Sequence, residues 1–342
     1  MPLVIPLFIP HRGCPHLCLF CNQHSVTAAG QAASDAAAIG DIIRTWIDRS
    51  PGRDEVQAAF FGGSFTCLPQ TEQERLLAAV RPFVDSGEVH SIRLSTRPDC
   101  IDAETCRFLR DHRVGIVEIG VQSFDDQVLR AARRGHTAAD SRRAVELLQQ
   151  AGITVGIQLM PGLPGETHRS FIAGIRQTIV LAPAVVRLYP AVVLRNTGLE
   201  EEWQAGRYRP LSLNQAVAKT ARAKELLAAA GIRVIRMGLQ PSAELEAGIV
   251  AGPYHPAFGE CVQSRLWFKR IRRRLACLTQ DEHLTIRISG RDRSAIVGRH
   301  RVTLRRLAAL GYASLFTLEE DRRAARGSVE YIVGQRPPSC PS

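Results

Sequence analysis

The feature that most restricts the fold of this chain is a regular alternation of short apolar segments with amphipathic ones through its first two-thirds. Six segments are predicted to be strands, at residues 3–9, 56–61, 91–95, 115–120, 153–159 and 185–189. Helices are predicted between them at 36–48, 70–86, 103–112, 138–151 and 170–181. Because strand–helix repeats form parallel sheets covered by helices, the pattern predicts an α/β fold. Periodicity alone leaves two arrangements open, a partial (β/α)6 TIM-like barrel and a flat doubly wound sheet.

The length and composition of the chain describe an ordinary globular protein. Its 342 residues, 45% of them hydrophobic, suffice for one large domain and a smaller one. We expect a core domain at 1–240 and an accessory domain at 241–342. No apolar run is long enough to span a membrane, and export signals are absent, so we expect a cytoplasmic protein without a membrane partner.

Three cysteines, Cys14, Cys18 and Cys21, lie close together after the first predicted strand. Thiolates suit soft metals and iron–sulfur clusters, and this spacing suits ligands of three irons in a 4Fe–4S cluster. The fourth iron would stay open for an exogenous ligand, as a catalytic site requires. Gly13 and Pro15 would allow the tight loop that carries these cysteines. The alternatives to a cluster are buried thiols, or zinc held by the cysteines together with His11, His16 or His24.

The other cysteines show no metal-ligand spacing, and a reducing compartment argues against disulfides between them. We therefore expect free thiols at Cys67, Cys100, Cys106, Cys261, Cys277 and Cys340.

Small and polar residues follow several predicted strands, at the ends where a parallel barrel binds its ligands. Gly62 and Gly63 follow the second strand and allow a ligand to approach the backbone closely. Glu118 lies within an otherwise apolar strand, where an unpaired carboxylate is costly to bury. It is therefore expected to be functional or to form a salt bridge with Arg134 or Arg97.

The cysteine motif, with Phe20 immediately before its last member, resembles that of the radical S-adenosylmethionine (SAM) superfamily. The resemblance implies a 4Fe–4S cluster whose open iron is chelated by SAM. It also implies that an electron from the cluster cleaves SAM to methionine and a 5′-deoxyadenosyl radical. Flavodoxin or ferredoxin is the expected reductant of the cluster. The superfamily favours the partial barrel over the flat sheet.

Further motifs, among them GGSF at 62–65, STRPD at 95–99, RRGHT at 133–137 and MPGLPGET at 160–167, resemble the radical SAM core of the Elongator catalytic subunit over residues 1–240. Gln122 and Arg134 also match SAM-contacting positions of the oxygen-independent coproporphyrinogen oxidases, whereas Gln158 replaces an acid there. These resemblances imply a cofactor-binding set of Phe20, Gly62, Gly63, Ser64, Ser95, Glu118, Gln122, Arg134, Gln158 and Met160. About 100 residues follow position 240, too few for the family's acetyltransferase domain, so we do not expect its carboxymethyl-type chemistry.

The C-terminal third is strongly basic and suggests a phosphate-bearing partner. Residues 261–310 contain thirteen Arg or Lys against three acids, out of a net charge of +11 for the chain. A basic amphipathic helix is predicted at 265–274, with Leu266, Ile271 and Leu275 inward. The following order of strand, helix, loop, helix and strands resembles a KH RNA-binding module, with Arg301 in place of the second glycine of its loop.

Candidates for substrate or RNA contact therefore lie in this third. They are Tyr254, His255 and Glu260 in a turn-rich segment, and the basic residues Arg270, Arg273, Arg299 and Arg301. The alternatives are a linker packed on the core and a solvated basic face.

Taken together, the sequence predicts a partial (β/α)6 TIM-like barrel with a small basic α+β C-terminal domain. The expected function is radical SAM modification of an RNA nucleoside, with tRNA as the expected partner. The alternatives are a radical SAM enzyme acting on a small molecule such as a tetrapyrrole, and a non-catalytic iron–sulfur RNA-binding protein.

Overall fold

A seven-stranded parallel sheet organises the first two-thirds of the chain in the computed structural model, which describes residues 2–9, 14, 16–21 and 36–335. The strands are β1 (Leu3–Phe8), β2 (Val56–Phe61), β3 (Ser91–Thr96), β4 (Val114–Gln122), β5 (Thr154–Leu159), β6 (Val185–Leu188), β7 (Val193–Leu194), β8 (Arg233–Met237), β9 (Ile249–Ala251), β10 (Glu282–Ser289), β11 (Phe316–Asp321) and β12 (Val329–Gln335). The helices are α1 (Ala36–Asp48), α2 (Gln70–Asp85), α3 (Ala103–Asp111), α4 (Asp126–Ala131), α5 (Ala138–Gln150), α6 (His168–Leu181), α7 (Gly198–Gln204), α8 (Leu213–Ala229), α9 (Ala243–Gly248), α10 (Phe258–Leu275), α11 (Arg293–Val297) and α12 (Val302–Ala309).

The large sheet is a curled half-barrel with the strand order β1-β2-β3-β4-β5-β6-β8. Every neighbouring pair is parallel, and the order follows the chain without a reversal. A doubly wound sheet reverses its order at a switch point, so that alternative is excluded. The predicted α/β class and partial TIM-like barrel are confirmed.

The two faces of this sheet differ sharply in chemistry. Alternate residues such as Leu94, Ile119 and Ile157 belong to one large apolar core. The residues between them, including Arg93 and Glu118, are polar and hydrogen-bond with one another. Because side chains alternate along a strand, the helices cover the apolar face and the polar residues line the other one.

Six of the seven strands of this sheet lie where the sequence predicts strands. The seventh, β8, and helices α7 to α9 are additions that the sequence analysis did not propose. β8 alternates exposed with partly buried residues and is not a continuous apolar run, which explains why its signal is weak. A short antiparallel pair, β7 with β9, forms a separate two-stranded sheet.

The contacts divide the described chain into two compact units. The barrel unit contains the described residues up to Ala216 and Arg222–Pro256, and the C-terminal unit contains Val217–Ala221 and the described residues from Ala257 onwards. Among residues 36–335, no helix is both long and apolar enough to cross a membrane.

The C-terminal unit contains α10 to α12 and a three-stranded sheet with β10 in its centre. β10 pairs with β11 in parallel and with β12 in antiparallel orientation. Leu266, Ile271 and Leu275 of α10 are buried, as the amphipathic pattern predicts. The small basic α+β domain is therefore confirmed as a fold.

Candidate functional site

Cys18 lies at the centre of a buried cluster of polar residues in the barrel unit. Its Sγ accepts hydrogen bonds from Nη1 of Arg134 at 3.3 Å and Nη1 of Arg97 at 3.8 Å. Both arginines are buried, and Arg97 is 1% exposed. Two guanidinium groups directed at one sulfur are charged hydrogen-bond donors at the position of a candidate metal ligand.

The two arginines are held in place by the carboxyl ends of β3 and β4. Arg97 follows β3 and donates to the carboxylate of Asp99 at 2.9 Å and to the carbonyl of Arg134. Nη2 of Arg134 donates to the carbonyl of Gly120 at 2.9 Å. A Cβ at position 120 would lie 3.0 Å from that nitrogen, so glycine leaves room for the guanidinium.

Cys14 contacts the Gly-Gly-Ser turn that follows β2. Its Sγ lies 3.2 Å from Oγ of Ser64, which is 3% exposed. Gly62 has a φ of +89°, a left-handed conformation that glycine adopts without strain, and Gly63 completes the bend before Ser64. This turn is a predicted SAM-binding segment, and it contacts the cysteine loop in the structure.

Cys21 lies close enough to Cys14 and Cys18 for electrostatic interaction with them. Part of it reaches the surface, but surrounding protein atoms desolvate the thiol and raise its pKa to about 11, with further contributions from Cys18 and Cys14. No three His, Cys, Asp or Glu side chains among the described residues form a group able to hold a single metal ion. A cluster differs from a single ion because each thiolate binds its own iron.

Backbone hydrogen bonds attach the cysteine loop to distant parts of the barrel unit. The N–H of Leu19 donates to the carbonyl of Ala132 at 3.1 Å, and the carbonyl of Leu19 accepts from the N–H of Leu199 at 2.8 Å. Phe20 packs beside Met160 against a buried apolar cluster. The predicted residues His11, Gly13, Pro15 and His24 lie outside the described residues.

Gln122 and Met160 meet where β4 and β5 end. Gln122 has a φ of +66°, and its carbonyl accepts from the N–H of Met160 at 2.9 Å. The side-chain Oε1 of Gln122 is buried without a hydrogen-bond partner among the described residues. A buried acceptor of this kind is costly unless a ligand satisfies it, which supports ligand binding at this position.

Glu118 is paired, but with residues other than those expected. Its carboxylate accepts from Nε of Arg93 and from Nη2 of Arg187 at 2.7 Å, whereas we expected Arg134 or Arg97. Arg93 and Arg187 lie on the same face of β3 and β6 as Glu118 on β4, a relation that the strand register produces. Desolvation lowers the pKa of Arg93, and the charge of Glu118 opposes that shift.

Ser95 and Gln158 belong to the same network. Nε2 of Gln158 donates to Oε2 of Glu118 at 3.2 Å and lies 3.5 Å from Oγ of Ser95. Arg93 and Arg187 are two further residues of this network that were not predicted from the sequence. Both arginines lie within predicted strands, on the polar face, and Arg93 comes two residues before the predicted site residue Ser95. A charged residue at such a position is the sequence signal that could have identified them.

The expectation of free thiols fails at Cys67 and Cys100, which form a disulfide. Their loops follow β2 and β3, and Oγ1 of Thr66 and Oγ1 of Thr96 lie 2.7 Å apart beside them. The pairing is long-range and depends on parallel strands that bring two loops together, so cysteine spacing alone does not predict it. Cys106, Cys261 and Cys277 are free, and Cys340 lies outside the described residues.

The C-terminal candidates divide between the two units. In the barrel unit, Tyr254 donates to the carboxylate of Glu246 at 2.7 Å, and desolvation followed by this bond raises its pKa to about 12. His255 follows it, whereas Glu260 belongs to the first turn of α10 in the C-terminal unit. Tyr254 is thus engaged by a carboxylate and is not a free acid–base group.

The basic candidates all belong to the C-terminal unit. Arg270 and Arg273 are exposed on α10, and Arg299 and Arg301 lie in the loop between α11 and α12. Arg301 has a φ of +58°, in the left-handed region that glycine adopts without strain.

The residues around Cys18 suit a 4Fe–4S cluster and SAM. Three cysteine thiols are the donor set for such a cluster, and the arginines supply charge that an anionic cluster needs. Cys14, Cys18 and Cys21 would hold the cluster. The unsatisfied Gln122 side chain and the Gly62–Ser64 turn would face the SAM molecule.

Comparisons with known proteins agree with this arrangement. The model of the Radical SAM superfamily matches residues 8–176, and that of the Radical SAM C-terminal domain matches residues 183–267. A tRNA uridine(34) acetyltransferase of Methanocaldococcus jannaschii is 33% identical over 138 residues, which are 39% of this chain and 25% of that protein. Elongator complex protein 3 of Mus musculus is 28% identical over 189 residues, which are 49% of this chain and 35% of that protein.

A solved structure of Elp3 from the archaeon Methanocaldococcus infernus, with an N-terminal deletion, has the same fold. It superposes with a TM-score of 0.62 at 21% identity, covering 80% of this chain and 63% of that one. The chain thus spans less than two-thirds of each of these proteins, and the whole-protein activities of the relatives do not transfer by similarity alone.

Proposed function

This chain belongs to the radical SAM superfamily and is a radical SAM enzyme that uses a 4Fe–4S cluster and SAM, and we propose that it modifies a nucleoside of tRNA. The observation that carries the catalytic part is the Cys18 sulfur, which faces Arg97 and Arg134 in a buried position. The substrate part rests on a relative whose name gives tRNA uridine 34 as its target and on the basic C-terminal unit.

We assign the three cysteines as cluster ligands and the strand ends as the SAM site. Reductive cleavage of SAM is the chemistry that the cluster supplies once bound and reduced. Arg97 and Arg134 donate hydrogen bonds to the sulfur of Cys18 and position it, and Ser64 positions Cys14. Gly62, Gly63 and Gln122 would offer backbone and amide groups to the polar end of SAM, and Phe20 beside Met160 offers an apolar wall.

The polar inner face would position the remaining ligand groups. Glu118, Ser95 and Gln158 form one hydrogen-bonded network with fixed side chains. Groups held in this way need no reorganisation when a ligand arrives, which favours precise placement of the substrate next to SAM. Tyr254, His255 and Glu260 stay candidates for substrate contact.

The reaction needs one electron from outside the chain, for which flavodoxin or ferredoxin is the donor that we propose. Three cysteine thiols must stay reduced before they take up iron, so we also propose a cytoplasmic setting.

The test of catalysis is anaerobic reconstitution with iron and sulfide, reduction, and measurement of 5′-deoxyadenosine formed from SAM. Wild type is compared with the triple variant Cys14→Ala, Cys18→Ala, Cys21→Ala and with Cys106→Ala, which removes a free thiol elsewhere. We expect product from wild type and Cys106→Ala but not from the triple variant. A loaded, reduced wild-type cluster that forms none would refute the catalytic assignment and favour a binding or sensor protein.

The substrate test adds total tRNA to the same reaction. We expect faster formation of 5′-deoxyadenosine and a mass change in one nucleoside after digestion of the tRNA. If a hydrophobic tetrapyrrole stimulates the reaction and tRNA does not, the small-molecule alternative is correct.

A further inference from the structure

Helix α10 carries a stripe of arginines along one face of the C-terminal unit. Arg270, Arg273 and Arg274 are exposed, and with Cys277 they follow the spacing i, i+3, i+4, i+7. Residues at this spacing share one side of a helix. They line a cleft together with Val329 and Tyr331 of β12, an edge strand of the sheet.

The charges of this stripe are not neutralised, in contrast to those of other arginines of the same unit. Arg287 pairs with Glu319 and Glu330, and Arg293 pairs with Glu320. Across residues 36–335, no carboxylate forms an ion pair with Arg270, Arg273 or Arg274. Like charges at this spacing repel one another, and a bound anion would relieve that repulsion.

Aromatic rings fix two of these guanidinium groups. The Cζ atom of Arg274 lies 5.0 Å from the ring centroid of Tyr331, and that of Arg270 lies 5.3 Å from that of Trp267. Trp267 is 4% exposed and belongs to the core of the unit, so its ring is a rigid support. Cation–π contacts of this kind hold the guanidinium groups in place before any ligand binds.

We propose that the cleft between α10 and β12 is a binding site for the phosphodiester backbone of RNA. The inference deepens the proposed function, since it assumes that the substrate is an RNA. Arginine binds phosphate oxygens through paired N–H groups, and an aromatic ring next to such groups suits a stacked base.

The position of Arg273 and Arg274 in the last turn of α10 offers a simpler explanation for these two residues, because cations there interact favourably with the helix dipole. That interaction requires neither a cleft nor aromatic supports, and it does not depend on Tyr331. The two explanations therefore predict different effects for a substitution of Tyr331.

The test measures binding of fluorescein-labelled total tRNA by anisotropy between 50 and 200 mM KCl. Each phosphate contact contributes about 0.7–0.9 to the slope of log affinity against log salt. The triple variant Arg270→Gln, Arg273→Gln, Arg274→Gln should reduce the slope by about 2.1–2.7. The factor by which affinity decreases between 50 and 200 mM KCl should then be about 20 to 40 times smaller for the variant than for wild type.

A matched control removes the same charge elsewhere in the unit. The variant Arg291→Gln, Arg322→Gln, Arg323→Gln changes three exposed arginines that form none of the cleft. It should keep most of the wild-type slope. Tyr331→Leu, which leaves the net charge unchanged, should weaken binding several-fold if the ring positions Arg274. Circular dichroism and thermal melting confirm that each variant is folded.

Equal losses in the two triple variants, or no loss in the stripe variant, would overturn the cleft as a specific site. Wild type that cleaves SAM but binds no tRNA refutes this inference and leaves catalysis intact. Cleft-dependent tRNA binding by a protein that fails to cleave SAM supports the inference while the catalytic proposal fails.

Discussion

The buried charge of Glu118 provides a quantitative test of how the inner face of the barrel is stabilised. Its side chain is 1% exposed and accepts hydrogen bonds from Arg93 and Arg187, which are 6% and 15% exposed. Glu118→Gln keeps the shape but leaves two guanidinium groups facing each other without a counter-charge. Removal of one partner from a buried ion pair costs about 3–5 kcal/mol, so the free energy of unfolding should fall by that amount.

Thermal melting of the apo protein measures this loss without any need for the cofactors. For a unit of this size, about 2–4 °C of melting temperature corresponds to 1 kcal/mol, which gives a decrease of about 6–20 °C. The control is Asp85→Asn, which breaks a pair with Arg113 whose side chains are 47% and 62% exposed. A surface pair of that kind contributes less than about 1 kcal/mol.

A double variant separates repulsion from a general packing defect. Glu118→Gln combined with Arg187→Gln removes one of the two uncompensated charges, so it should melt above Glu118→Gln alone. Two outcomes would contradict this role of the Glu118 ion pairs. One is that Glu118→Gln lowers the melting temperature no more than Asp85→Asn does. The other is that the decrease in the double variant equals the sum of the decreases in its two single variants.

Three further outcomes follow from the site. The double variant Cys67→Ser, Cys100→Ser should lose about 4 kcal/mol relative to the oxidised protein, because the bridge closes a loop over a separation of 33 residues; the loss should vanish in dithiothreitol. Burial and then the charge of Arg134 lower the pKa of His136 to about 4, below its unfolded value of 6.5. The contribution of neutral His136 to stability is therefore fully present above about pH 6.5 and decreases as the pH falls towards 4. Urea titrations should find a free energy of unfolding about 2 kcal/mol lower at pH 5 than at pH 7. His136→Gln should reduce this difference. Arg134→Gln removes a positive donor from Cys18, so a redox titration should find a more negative cluster potential; an unchanged potential at full iron content would contradict this role.

The sequence was sufficient for the fold because the barrel depends on patterns that repeat locally. The apolar strand at Val56–Phe61 and the helix at Ala36–Asp48 have the predicted bounds. β8 escaped prediction because it lies at the sheet edge, where one side of a strand needs no apolar cover. Local periodicity identifies buried elements and says little about an edge strand.

The sequence predicts the chemistry of the candidate site but not which side chains pair with each other within it. The cysteine spacing predicts Cys14, Cys18 and Cys21 as cluster ligands, but the partners of Glu118 depend on the register of β3 to β6. Register sets which residues meet across strands, and no motif encodes it.

The long-range contacts of the cysteine loop make its geometry a property of the folded barrel. Leu19 of the loop donates to the carbonyl of Ala132 and accepts from the N–H of Leu199. Gly198 permits close packing because a Cβ there would lie 2.6 Å from the Leu19 side chain. Cys18 in turn depends on arginines 79 and 116 residues away in sequence. A peptide that contains only the three cysteines has the ligands but neither the guanidinium donors nor the backbone partners. Conditions that unfold the barrel should therefore abolish cluster binding in the same transition.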